Sequence, residues 1–189
     1  ATVGGGQSGA IPDAGYLHHY NLVTVRDNQI AMASYPVGEV MDVRAITPEV
    51  SNETSRLASL QPGMVESIRL NQDGSARGSF TVAFRNPVTN PYELSIVPAS
   101  DDSRWRFNPD HVHATLEPGA TRNFTFEVAR DAGSLDGGFR WPGLDVGMEY
   151  LANGRRFSIP VRHHPLPVES SLPAPEPADP NLALELDGI

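Results

Sequence analysis

Apolar and polar residues alternate along much of the chain between Met64 and Pro165. Runs of this kind recur at Val65 to Leu70, Gly78 to Arg85, Tyr92 to Val97, His113 to Leu116, Thr121 to Val128, Met148 to Leu151 and Arg155 to Val161. A period of two sends successive side chains to opposite faces of a strand, so each run predicts a half-buried β-strand. Phe80, Val82 and Phe84 mark one inner face, and Phe124, Phe126 and Val128 mark another. Turn-forming residues separate the runs: Asn71-Gln72-Asp73-Gly74, Asn86-Pro87, Glu117-Pro118-Gly119-Ala120 and Asn153-Gly154. Asn-Gly between apolar runs is the strongest hairpin signal in the chain. About seven short strands with no long helix predict an antiparallel two-sheet sandwich over residues 64–165.

The flanking regions differ in texture. Residues 1–15 hold Gly4, Gly5, Gly6, Gly9 and Gly15, the composition of a flexible or tightly turning loop. Within 16–44, Tyr16 to Val25 and Ile30 to Tyr35 read as strands joined by the polar turn Arg26-Asp27-Asn28-Gln29. Leu22, Val23 and Val25 are apolar enough to require a buried face. Residues 45–63 form a connector with a short helix: Thr47 is placed to cap it, Pro48 fits its first position, and Gln61-Pro62-Gly63 stops it. From 166 to 189, prolines at 167, 173, 175, 177 and 180 forbid a regular helix or central strand and predict an extended acidic tail.

Charge and composition narrow the function classes. The formal net charge of -9 argues against nucleic acid or an anionic membrane surface as the main partner. No apolar run approaches the roughly 18 residues that span a bilayer, so no membrane span is expected. All 14 basic residues are arginine. The absence of cysteine excludes disulfides, thiolate metal sites and a cysteine nucleophile from this chain.

Candidate chemistry is sparse. The histidines fall as three close pairs, His18-His19, His111 with His113, and His163-His164. Neighbours on a strand leave on opposite faces, so His18 and His19 cannot share an ion without a bulge. His111 and His113 face the same way, with Asp110 beside them, but a metal site needs a third ligand, for which Glu149 and His163 are candidates. Asp101-Asp102 and the loop from Asp131 to Asp136 lack the ligand spacing of a calcium loop. Gly6-Gln7-Ser8-Gly9 is one position short of a nucleophile elbow, and the glycine run lacks the lysine of a phosphate-binding loop. No catalytic and no metal-ligating residue is therefore assigned, and no cofactor is expected in this chain. Carbohydrate binding is the most plausible site chemistry, because aromatic rings stack on sugar faces while arginine bonds to hydroxyls. Trp105, flanked by Arg104 and Arg106, and Trp141, preceded by Phe139-Arg140, lie in loop-like stretches. The competing reading is that each tryptophan plugs one end of the sandwich.

Together, "VGGGQSGA" at 3–10 and "HHYNLVTVRDNQIAMASYPVG" at 18–38 resemble the closing part of calcineurin-like metallophosphoesterases, in which a glycine-rich loop leads into the last sheet strands. The resemblance covers about 40 residues and implies a mainly β chain: terminal strands of a larger α/β domain over 1–44, then an immunoglobulin-like accessory domain over 64–165. The family's metal ligands lie in D-x-H, G-D, G-N-H-[DE] and G-H-x-H motifs, none of which occurs here. Gly15-Tyr16-Leu17-His18 echoes the last of them without its first histidine, so no ligand is carried over. The divalent metal ions and the catalysis are then expected in a domain upstream of Ala1, itself the first partner. Exported bacterial members of the family imply a periplasmic or extracellular setting. Three functions compete: a non-catalytic C-terminal region of a phosphoesterase, a module binding glycans or a cell-envelope component, and a structural spacer.

Overall fold

The computed structural model describes residues 19–36, 46–136 and 138–170. The chain is mainly β with several antiparallel sheets, as the alternation predicts. The readings made for the glycine run, for His18 and for 171–189 lie outside the described residues.

β1 (His19–Arg26) and β2 (Gln29–Pro36) form a two-stranded antiparallel sheet. Arg26 pairs with Gln29, leaving Asp27 and Asn28 as the whole turn, with φ of 46° and 61°. Positive φ at both central residues makes the turn's twist match that of the strands, and Asp and Asn tolerate it better than other side-chain-bearing residues.

α1 (Pro48–Ala58) follows the predicted start: the Thr47 hydroxyl accepts from the Val50 amide at 3.3 Å. Val50, Thr54 and Leu57 form its buried face, which packs against two later strands, Gly143–Ala152 and Arg155–Pro165. The connector is thus part of the folded body.

β3 (Gly63–Val65) and β4 (Ile68–Arg69) divide the run read as one strand from Val65 to Leu70. Glu66 between them has a φ of 86°, which breaks the extended chain and lets the two pieces join different sheets. β5 (Ala76–Arg85), β6 (Tyr92–Ala99), β7 (Trp105–Asn108), β8 (Val112–Leu116), β9 (Thr121–Arg130), β10 (Gly143–Ala152) and β11 (Arg155–Pro165) complete two four-stranded sheets. Their strand orders are β3-β5-β9-β7 and β11-β10-β6-β8. β12 (Val168–Glu169) pairs in parallel with β4. Residues 166–169, assigned by composition to the tail, are therefore held in the fold, with Leu166 buried.

Inner residues of both four-stranded sheets belong to one core. Phe80, Val82, Phe84, Phe124, Phe126 and Val128 are all buried, as their alternation predicts. From the other sheet come Tyr92, Leu94, Ile96, Val146, Tyr150 and Phe157. Two polar groups at the core are bonded: the buried Asn86 amide donates to the carbonyls of Asn90 and Leu116, each at 2.9 Å, and Glu53 of α1 accepts from Tyr150 and from the Thr89 amide. The buried Tyr92 hydroxyl has no hydrogen-bond partner among the described residues.

A bulge shapes β11. Val146 opposes Arg162 and Met148 opposes Ile159, so Gly147 alone faces Pro160 and Val161. Proline cannot donate to the ladder, and a bulge on an edge strand is where a sheet accommodates it. The extra residue inverts the alternation: Phe157 and Ile159 are buried before it, and His164 after it.

His164 Nε2 has no hydrogen-bond partner among the described residues. Burial pushes its pKa below 6.5, and the neighbouring charges of Arg162 and His163 push it further down. The native state thus binds fewer protons than the unfolded chain just below pH 6.5. Its stability is fully present above about pH 6.5 and declines as pH falls below that, by at most ~1.4 kcal/mol per pH unit from this one group. Denaturant titrations on either side of about pH 6.5 should show that decline, and His164→Leu should flatten it. An unchanged slope in His164→Leu would place the pH dependence on another group.

Candidate functional site

On the outer face of the β11-β10-β6-β8 sheet, the bulge and a row of small residues form a trough of about 880 Å³. Register fixes its layout. Ser95 directly opposes Gly147 and His113, making a floor across β8, β6 and β10. Glu93 directly opposes Glu149, with Thr115 and Ser158 on either side in the same row. The bulge raises Val161 beside Gly147, 67% exposed.

Two carboxylates facing each other across an antiparallel pair repel. Arg156 offsets this: its Nη1 donates to Glu93 and, at 2.8 Å, to Glu149 Oε2. Those two hydrogen bonds, the one to Glu93 first, hold the Arg156 pKa above its ordinary value. Arg122 from β9 also reaches the rim, lying over the Phe124 ring at 5.5 Å. The arrangement offers fixed acceptors, hydroxyls, an imidazole and one bare apolar side chain on a rigid sheet. It supplies groups that can bind a ligand.

The aromatic residues singled out from the sequence lie elsewhere. Trp105 opens β7, not a loop; it is buried, and its Nε1 donates to the Arg140 carbonyl at 3.1 Å. Trp141 is 46% exposed and packs edge-on against Phe139, with ring centroids 4.7 Å apart. Arg106 leaves β7 on the face opposite Trp105 and pairs with Asp131, lining a second depression of about 750 Å³ on the outer face of the other sheet. The tryptophans share one loop end through Arg140, whereas Arg106 lies on a different surface.

The histidine pairs are placed as follows. The rings of His111 and His113 meet at 5.4 Å, and His111 Nδ1 lies 2.7 Å from Asp110. His163 Nδ1 lies 2.8 Å from Asp145; it is on β11, at the opposite edge of the sheet from β8, which carries His113. Among the described residues no group of three or more histidines and carboxylates is arranged to hold a metal ion. Asp102 is buried against Arg130 and Arg104, an ion pair within the fold.

Sequence reasoning missed the trough because it depends on register between four strands. One signal was available: an isolated glycine inside a strand pattern, Gly147, marks a bulge or a place where another group approaches closely. No protein-family model matches the chain, and no curated protein sequence matches it significantly.

Proposed function

We propose that this chain acts by interaction and not by catalysis, as an immunoglobulin-like accessory sandwich joined to the closing strands of a phosphoesterase-type α/β domain. The observation that carries the reading is the β1–β2 hairpin. Val23, Val25, Ile30 and Met32 share one of its faces by register, and all four are exposed, Val25 at 67% and Ile30 at 76%. Leu22 and Tyr20 are exposed on the other face. The Val23, Val25, Ile30 and Met32 face is bare, whereas Ala33 opposite Leu22 on the other face is buried. A hairpin with one uncovered apolar face looks like part of a larger packed surface, because proteins normally cover such faces. In this reading the metal ions and the hydrolysis belong to the upstream domain, and the two sheets extend the enzyme toward a partner in the cell envelope.

Hydrogen exchange on dilute, monomeric protein tests it. A two-stranded hairpin alone is marginally stable in water, so the amides of Leu22 to Val25 should exchange quickly, and protection should rise on adding the upstream domain. Strong protection that does not depend on concentration or on that domain would make the hairpin part of a self-sufficient fold and overturn the reading.

A further inference from the structure

We infer that the trough on the outer face of the β11-β10-β6-β8 sheet is a binding site for a neutral, polyhydroxylated ligand of the oligosaccharide class. This stands independently of the phosphoesterase reading. The space is not a packing requirement. A Cβ on Gly147 would meet only Val161 Cγ2 at 3.5 Å and Ser95 Cβ at 4.0 Å, ordinary contacts. A methyl group fits the sheet there, yet the floor is kept low by Gly147 and Ser95.

The charged groups point to the ligand class. Glu93, Glu149 and Arg122 line the trough, and Arg156 beside it is paired with both carboxylates, so two negative charges meet two positive ones. With the charges balanced, neither a cation nor an anion gains net Coulomb energy by entering. Carboxylates held in place by Arg156 remain strong acceptors for hydroxyl donors, and such charge-assisted bonds are the stronger kind. Ser158 and Thr115 flank them in the same row, adding groups that donate and accept. Val161 supplies the apolar contact that the C–H face of a sugar ring takes. Peptides of either charge fit this balance less well, and a peptide paired to the terminal strand β8 would leave the Glu93–Glu149 row on β6 and β10 unused.

The test is an amide-resolved NMR titration of the full chain with three neutral hexasaccharides: cellohexaose, maltohexaose and the N-acetylglucosamine hexamer. At least one should shift the amides of Ser95, Gly147 and Ser158, with little dependence on salt. Glu93→Gln and Glu149→Gln should each raise Kd by about tenfold or more, the loss expected for a hydrogen bond to a charged group. Gly147→Met should abolish binding by filling the floor; if that variant fails to fold, the two glutamate variants carry the test. The proposal is overturned if none of the three sugars moves those amides at millimolar concentration. It is equally overturned if the shifts gather around Trp141, or if only an anionic oligosaccharide such as hexagalacturonate binds.

Discussion

Arg130→Met is expected to lower the stability of the fold by about 3–5 kcal/mol, the cost of leaving one member of a buried ion pair alone. The side chains of Arg130 and Asp102 are 0% and 3% exposed. Arg130 Nε and Nη2 donate to Asp102 Oδ2 at 3.2 and 3.1 Å. Its Nη1 donates to the carbonyls of Gly74 and, at 3.2 Å, Gly133. The guanidinium carbon also lies over the Phe139 ring at 5.0 Å and the Trp105 ring at 5.9 Å. One side chain thus fastens the 71–75 turn, the 100–104 loop and the 131–134 loop. Gly74 belongs to the same lock. Its φ is 75°, and a Cβ there would lie 2.0 Å from the Gly133 carbonyl oxygen.

Burial alone would raise the Asp102 pKa, but hydrogen bonds from Arg104 and then Arg130 outweigh it and hold it below 3.8. Asp102 is therefore ionised at neutral pH, and removing Arg130 leaves only Arg104 to answer it. The double variant Arg130→Met/Asp102→Leu should recover part of the loss, because an apolar pair no longer strands a charge. Recovery should be incomplete, since the Gly74 and Gly133 carbonyls still lose their donor. Denaturant midpoints of the two single variants and the double variant measure this coupling. Strict additivity of the two substitutions would mean that the ion pair is not the lock described.

Local chemistry made part of this fold legible. Asn153-Gly154 turns with φ of 52° and 73°, and the Asp27-Asn28 turn likewise needs two positive φ values. Thr47 and Pro48 declared the start of α1 because capping is satisfied within a few residues. Phe80, Val82 and Phe84 on β5 alternate without interruption, so their inner face could be read directly. Other features depended on distant partners. The passage from β3 to β4 turns on the positive φ of Glu66, a residue type that does not advertise it. The parity of β11 reverses at Pro160-Val161, which places His164 inside and His163 outside, against a simple count of two. β7 was missed because Trp105 and Phe107 give only two inward positions, too few to show a period. Arg130 followed alternation to the inner face of β9, but a charge is assigned there only once its partner Asp102 is known. For the site, tryptophan and arginine drew attention to Trp105, Arg106 and Trp141. The trough uses glutamate, serine and glycine, which are unremarkable in sequence and acquire meaning only side by side across β6 and β10.

Phe126→Ala is expected to cost about 3–5 kcal/mol, the range for emptying a core phenylalanine site. Phe126 is fully buried on β9 and directly opposes Phe80 on β5. Their rings stack with centroids 5.3 Å apart and planes 16° from parallel. The loss combines the apolar surface returned to water, the cavity left behind and the aromatic pair itself. Phe126→Leu keeps most of the volume and should cost less than half as much. Trp141→Ala is the control. That side chain is larger, but it is 46% exposed and touches the fold through Phe139, so its removal should cost under about 1 kcal/mol despite the greater number of atoms deleted. The three denaturant midpoints should therefore fall in the order Trp141→Ala, Phe126→Leu, Phe126→Ala, from most to least stable. A Phe126→Ala cost below about 1 kcal/mol would mean that the Phe80–Phe126 face does not lie in the core, and the inward assignment of β5 and β9 would fall with it.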